Sequence, residues 1–200
     1  SDRFELFSLS LEPSVKVSFI LYDVLLTWYS SDSNISSHKF GSVLSNKVIL
    51  GVLTADCCPI LIGHKKKYLS AIIHLGWRGL HNDILKNFSY KIKILDINFS
   101  DLIFALGPCI GFKSFEVDAN FKKKFIMKDK LSKKFFVTFK SKIYFDLRGY
   151  AKLILIKLGF SNIWCSSDDT YKKFNDFFSY RYSMHNKFAD YGRMLSIIKT

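Results

Sequence analysis

The chain has 200 residues, a formal net charge of +13, and a composition that is 48% hydrophobic and 16% aromatic. This composition excludes an intrinsically disordered chain and predicts a single domain over residues 1–200. No apolar run reaches the roughly 18–20 residues of a membrane helix, and the first residues lack a signal-peptide pattern. We therefore expect a cytoplasmic protein without a membrane partner.

The positive charge is spread along the chain in short lysine runs, at 64–67, 121–125, 132–135 and 171–173. No run forms an arginine-rich stripe or a known nucleic-acid module, so we predict a solvated basic surface and no nucleic-acid partner. Such a surface still favours phosphorylated substrates.

Apolar patterning predicts alternating strands and helices, hence a layered α/β or α+β domain. The predicted strands are 3–11, 15–26, 47–54, 58–63, 68–74, 101–107, 134–139, 142–147, 162–165 and 194–199, with hairpins joining 58–63 to 68–74 and 134–139 to 142–147. The predicted helices are 80–95, 117–131 and 147–160, and 30–42 and 76–79 are predicted as a loop and a turn.

Two neighbouring apolar runs carry reactive side chains: "VLTADCCPILI" (52–62) and "IIHLGWRGL" (72–80). Cys57 and His74 lie at the edges of predicted strands of one sheet, and thiolate with imidazole is a donor pair that suits zinc or copper. The alternative is a buried structural thiol and a hydrogen-bonded core histidine. A third ligand is needed, and His38 is the candidate among the other histidines.

Asp56 stands in the middle of the first apolar run, where an unpaired carboxylate is costly. It is a candidate catalytic residue, acting as an acid or base or orienting His74. The structural alternative is a turn cap or a pairing with Arg78.

Two arginines are further candidates, Arg78 as a catalytic residue and Arg181 as a substrate-binding residue. Arg78, in "GWRG", suits a phosphate, or else stacks on Trp77 at the surface. Arg181, in "FFSYRY", lies among aromatic neighbours that could stack on a base, or else extends from a packed core. The loop "LGPCIG" (106–111) could offer N–H groups to an anion, although a plain turn is the simpler interpretation.

The motifs "TADC", "H-x-GWRG", "LGPCIGFKSFEV", "YFDL" and "FFSYR…GRM" occur in this order. Together they resemble the YfiH-like family, also called the laccase-domain or multicopper polyphenol oxidase family, whose members are often described as purine nucleoside phosphorylases. The resemblance covers about residues 41–199, while the N-terminal part diverges and lacks the family's upstream Gln-Val-His motif.

The resemblance implies an α+β fold, a four-layer α/β/β/α sandwich with mixed sheets. It implies a zinc ion on Cys57 and His74, with copper as the alternative metal. The implied activity is phosphorolysis of purine nucleosides (adenosine, inosine, methylthioadenosine) with adenosine deamination alongside, so that the partners are a purine nucleoside and phosphate.

Other functions remain open at this point. Because the upstream histidine motif is absent, one alternative is a non-catalytic remnant that serves as a binding or dimerisation partner, for which a homodimer is the expected assembly. The resemblance also includes copper-dependent phenol oxidation and editing of peptidoglycan precursors. Phenol oxidation ranks lower, because Cys57 and His74 are too few ligands for a multicopper cluster.

Overall fold

A computed structural model of the chain describes residues 49–199 and, further upstream, the backbone of the strands at 7–11, 25–26 and 40–44. The strands are β1 Phe7–Leu11, β2 Leu25–Leu26, β3 Phe40–Leu44, β4 Leu50–Thr54, β5 Cys58–His64, β6 Leu69–Leu75, β7 Leu102–Leu106, β8 Glu116–Val117, β9 Phe136–Phe139, β10 Lys142–Phe145, β11 Asn162–Cys165 and β12 Arg193–Ile198. The α-helices are α1 Trp77–His81, α2 Ile84–Ile94, α3 Ala119–Lys128, α4 Leu147–Lys157 and α5 Tyr180–His185.

A six-stranded sheet organises the fold, in the order β11-β7-β5-β6-β3-β2. Strand β11 runs parallel to β7, and the other pairs are antiparallel, so the sheet is mixed. The predicted hairpin of β5 and β6 is confirmed. All seven residues of β5 are buried, as expected for a central strand covered on both faces.

A second sheet, β1-β12-β4, is antiparallel and packs on one face of the first. Leu50 and Ile198 of this sheet share a buried apolar cluster with Leu61 and Ile72 of the six-stranded sheet. This contact excludes water between the two sheets and fixes their faces against each other.

The larger core lies between the six-stranded sheet and the helices. Helix α2 buries Ile84, Leu85, Phe88 and Ile92, which recur at the helical period and form one apolar stripe. Phe88 packs edge-on against Phe104 of β7, with ring centroids 6.1 Å apart. The predicted α+β class with mixed sheets is therefore confirmed, and the four-layer arrangement stays a prediction.

The structure corrects several predicted boundaries. Residues 76–79 were predicted as a turn, but they begin α1, because the Leu80 N–H donates to the Gly76 carbonyl. The predicted helix 80–95 is interrupted at Asp83, whose φ of 60° is left-handed. The predicted loop 30–42 is wrong at its end, where β3 begins at Phe40.

The other predicted elements in the described residues occur close to their predicted positions. Only Leu25–Leu26 of the predicted strand 15–26 belongs to the described residues. No helix among the described residues is long and apolar enough to cross a membrane.

Candidate functional site

The apolar run around Asp56 folds as two strands joined by a bend. Strand β4 ends at Thr54 and β5 starts at Cys58, so Asp56 and Cys57 lie in the connection and not inside a strand. Asp56 adopts a left-handed φ of 81°, a conformation that aspartate tolerates better than most residues. The bend is held by the Ile110 N–H, which donates to the Asp56 carbonyl at 3.0 Å.

Cys57 and His74 line one cavity. His74 pairs with Pro59 across the β5–β6 ladder, and Cys57 lies in the bend two residues before Pro59, so this register brings the two residues to the same end of the hairpin. A Cβ atom on Gly76 would lie 2.9 Å from the Cys57 Sγ. Glycine at this position therefore allows the backbone to approach the thiol.

The cavity has a volume of about 480 Å³, within the range of small-molecule sites. It brings together all five predicted site residues, which come from the bend, β6, α1 and α5. Its lining consists of Ala55, Asp56, Cys57, His74, Gly76, Trp77, Arg78, Gly79, Ile110, Phe115, Leu147, Tyr180 and Arg181.

The Asp56 carboxylate is buried and hydrogen-bonded by the segment that leads into α5. The Thr170 hydroxyl donates to Oδ1 at 2.8 Å, and the Arg181 main-chain N–H donates to Oδ2 at 2.7 Å. The Ser179 hydroxyl donates as well. Burial raises the pKa of Asp56 above its usual range, although these hydrogen bonds and the Arg181 charge lower it.

The two arginines are each held against an aromatic ring. The Arg78 guanidinium lies 4.6 Å from the centroid of Trp77. The Arg181 guanidinium lies 5.6 Å from the centroid of Phe115 and donates to the Glu116 carbonyl at 2.9 Å. The stacking pre-orients both cations, while their remaining N–H donors can bind an anionic or polar ligand.

The Cys57 thiol is protonated at neutral pH in the protein alone. Burial, followed by the charges of Asp56 and Cys109, raises its pKa to about 11, against the opposing charge of Arg78. A bound metal ion displaces the thiol proton on coordination, so this environment favours either a neutral thiol or a metal thiolate.

The donor set is compatible with zinc but incomplete within the described residues. Cys57 and His74 supply one thiol and one imidazole, both zinc ligands. Over residues 49–199 no group of three His, Cys, Asp or Glu side chains is arranged to hold a metal ion. The predicted third ligand, His38, lies outside the described residues.

Three other histidines have contacts elsewhere. His64 is buried at the end of β5, and its Nδ1 accepts from the Lys66 and Lys67 N–H groups at 3.0 Å. His81 lies beside Asn82, and His185 beside the Tyr171 hydroxyl. None of the three lines the cavity.

Sequence reasoning missed the segment "SSDDT" (166–170), which contacts the site through hydrogen bonds from Thr170 to Asp56 and from the Gly111 N–H to Asp169. Asp169 accepts from the Gly111 N–H at 2.9 Å and from the Ser114 hydroxyl at 2.6 Å, so the loop that could have offered Gly111 to an anion is bound to a carboxylate. The available signal was a polar, acidic cluster directly after a strand.

Comparisons with known proteins show the family to which the chain is similar. The model of the family described as multi-copper polyphenol oxidoreductase laccase matches residues 41–200. A purine nucleoside phosphorylase of Rickettsia prowazekii is 33% identical over 161 residues, which are 79% of this chain and 66% of the relative. The purine nucleoside phosphorylase YfiH of Escherichia coli is 30% identical, over 75% of this chain and 58% of the relative.

Solved structures show the same fold. A Neisseria meningitidis protein superposes with a TM-score of 0.70 at 30% identity, covering 80% of this chain and 63% of that chain. The YfiH protein of Bacillus licheniformis gives a TM-score of 0.71 at 27% identity, covering 79% and 60%. This chain thus spans between 58% and 66% of the length of these relatives. It belongs to the multi-copper polyphenol oxidoreductase laccase family, the family of the YfiH proteins.

Proposed function

We propose that this chain is a zinc-dependent purine nucleoside phosphorylase acting on adenosine, inosine and methylthioadenosine, with adenosine deamination as a side activity. One observation carries the proposal: a single cavity joins Cys57 and His74 to two arginines stacked on aromatic rings. The printed names of the relatives, purine nucleoside phosphorylase, support the same reaction class.

Arg78 is the proposed phosphate-binding residue. It is exposed on α1 and lines the cavity, and its charge acts on the Cys57 thiol. Because Arg78 is already stacked on Trp77, its side chain loses less conformational entropy when phosphate binds. In phosphorolysis a phosphate oxygen bonds to the sugar C1′ as the C1′–N bond breaks, and the base leaves with its electron pair and takes up a proton. A cation beside the phosphate orients that oxygen.

The purine nucleoside is proposed to bind against the aromatic lining. Trp77, Phe115 and Tyr180 offer ring surfaces in the cavity. Arg181 lies over Phe115 and has guanidinium N–H groups beyond the one bound to Glu116. Stacking supplies affinity for a flat base, and these donors are available for its ring nitrogens or the sugar hydroxyls.

Zinc is proposed to bind Cys57 and His74, where it supplies Lewis-acid polarisation when bound. The third donor is proposed to be His38. Phe40 pairs with Ile73, the neighbour of His74, and two residues of chain span at most about 7 Å. His38 is therefore the first upstream residue to change.

The test is a phosphorolysis assay on the purified chain with adenosine and inorganic phosphate, together with elemental analysis. We expect phosphate-dependent release of the base and near one zinc per chain. Cys57→Ala should lose both the zinc and the turnover, and His38→Ala likewise if it is the third ligand. Arg78→Ala should raise KM for phosphate with the zinc retained, since Arg78 is not a metal ligand.

Cys165→Ala is the matched control, because Cys165 is also partly buried but does not line the cavity. It should retain metal and turnover. Base release that does not depend on phosphate, or full turnover by Cys57→Ala, would contradict the proposal. A protein without metal or turnover would favour the non-catalytic scaffold.

Copper-dependent phenol oxidation is the second candidate, favoured by the description of the matching family. The donor set of the described residues fits it less well, because His64, His81 and His185 lie outside the cavity that holds Cys57 and His74. Copper titration followed by optical absorption, with a phenol as substrate, distinguishes the two candidates.

A further inference from the structure

The Asp56 carboxylate joins its own bend to two other parts of the fold at the cavity wall, the segment at Thr170 and the start of α5. Thr170 follows the loop after β11, Ser179 is the N-cap of α5, and Arg181 is the second residue of that helix. Thr170 is itself fixed, since its N–H donates to the Cys109 carbonyl at 3.2 Å. Asp56, Thr170, Ser179 and Arg181 are called the Asp56 network below.

We propose that Asp56 is a positioning residue, which holds the start of α5, and with it Tyr180 and Arg181, against the Cys57–His74 side of the cavity. It does not transfer a proton in the reaction. This inference rests on the proposed function for its kinetic consequences, but the placement of Arg181 can be tested without turnover.

The first support is the occupancy of the carboxylate. An ionised carboxylate has about four lone-pair sites, and three are filled by donors from the protein itself. The residue is only 9% exposed. A general acid or base needs a free site within hydrogen-bond reach of the reacting atom, and only one of the four remains, since the other three face Thr170 and the start of α5.

The second support is that Asp56 is fixed at its main chain too. Its carbonyl accepts from the Ile110 N–H, and its left-handed φ turns the chain directly before Cys57. Any change in the direction of this side chain therefore affects both sides of the cavity. Helix α5 has six residues, too few to hold its own position without tertiary contacts.

The third support concerns what Arg181 contacts. Its main-chain N–H binds Asp56, while its guanidinium binds the Glu116 carbonyl and lies over Phe115. The main-chain hydrogen bond fixes the position of the Arg181 backbone, and the contacts with Glu116 and Phe115 fix the position of its guanidinium. Asp56 thus acts on the ligand through Arg181.

Two substitutions separate positioning from proton transfer. Asp56→Asn keeps an oxygen for the Arg181 N–H, and its amide can donate to the Thr170 hydroxyl, which can also accept. It cannot exchange a proton at neutral pH. Asp56→Ala removes every acceptor and leaves buried donors unsatisfied. Thr170→Val removes one donor at nearly constant shape, and Thr170→Ser keeps that donor.

The experiment measures kcat and KM for adenosine and phosphate in these four variants, with amide hydrogen exchange over 179–184. We expect Asp56→Asn to lower kcat/KM by about tenfold and Asp56→Ala by about 100-fold or more, from loss of one against several buried hydrogen bonds. Thr170→Val should raise KM several-fold with little change in kcat, and Thr170→Ser should restore it. Protection of the Arg181 amide should fall in Asp56→Ala and persist in Asp56→Asn.

Proton transfer predicts a different result: Asp56→Asn would lose kcat as completely as Asp56→Ala while the Arg181 amide stays protected. That result would overturn the inference. If Asp56→Ala fails to fold, the two Thr170 variants carry the test, and equal KM values in Val and Ser would overturn it. If the wild type does not turn over, the proposed function fails, and unchanged Arg181 protection in Asp56→Ala would overturn the positioning role separately.

Discussion

Two groups of residues that line the same cavity are held by different forces. Phe115 and Leu147 belong to the larger core, where Phe115 is part of a cluster of aromatic rings, whereas Tyr180 and Arg181 begin the helix that the Asp56 network holds. The rings of the aromatic cluster are Phe115, Phe121, Phe125, Phe136, Phe145 and Tyr150.

The aromatic cluster is held by burial. Phe145 is fully buried at its centre, with ring centroids of Phe136 and Phe125 at 4.6 and 4.8 Å. This stabilisation is large but has little directionality. The Asp56 network buries less apolar surface but fixes distances of 2.7 and 2.8 Å. The aromatic cluster therefore contributes mainly to the stability of the fold, and the Asp56 network contributes mainly to the geometry of the site.

The largest expected effect comes from the aromatic cluster. Phe145→Ala should lower the free energy of unfolding by about 3–5 kcal/mol, since it removes a fully buried ring and leaves a cavity. Chemical denaturation measures it. Phe139→Ala, the same substitution at a ring that is 61% exposed, should change stability by about 0.5 kcal/mol or less. Equal losses would contradict the role given to the cluster.

A smaller effect is expected at the carboxylate beside the Asp56 network. Asp169→Ala should cost about 1–3 kcal/mol in unfolding free energy, because the buried donors of Gly111 and Ser114 lose their acceptor. Ser114→Ala removes one of these bonds and should cost less. A loss for Asp169→Ala as large as that for Phe145→Ala would contradict the distinction between the aromatic cluster and the Asp56 network.

The smallest effect on stability is expected at the exposed ion pair between Asp168 and Lys173. Lys173 donates to Asp168 at 2.6 Å, with 54% and 30% of the two side chains exposed, and solvent screens such pairs. Asp168→Asn keeps an acceptor for the Ser166 hydroxyl but removes the charge, so we expect a loss well below that of Asp169→Ala.

The loss of unfolding free energy in Asp168→Asn should be present at neutral pH and disappear in acid. The hydrogen bond from Lys173, followed by that from Ser166, lowers the pKa of Asp168. A lowered pKa stabilises the folded protein above the unfolded value of about 3.9 and loses that contribution as pH falls through the folded pKa. Melting temperatures of the wild type and of Asp168→Asn should therefore differ at pH 7 and converge in acid. A difference that grows in acid would contradict this sign.

Local patterns were sufficient for much of the fold. The hairpins β5–β6 and β9–β10, the helix over 147–157 and the late strands follow from period-2 and helical spacing in their own residues. The turn predicted at 76–79 was wrong because Gly76 precedes α1 as its N-cap, and glycine with a short polar segment indicates a turn or a helix start equally well.

The amino-acid sequence by itself determined which residues belong to the candidate site, because "TADC" and "H-x-GWRG" place Cys57 directly before β5, His74 near the end of β6 and Arg78 directly after that strand. Only the tertiary structure decided what Asp56 contacts. Thr170 and Arg181 are separated from it by 114 and 125 residues, and no local periodicity encodes contacts at that distance. They form because burial makes an unpaired carboxylate costly, and the folded chain places those donors next to it.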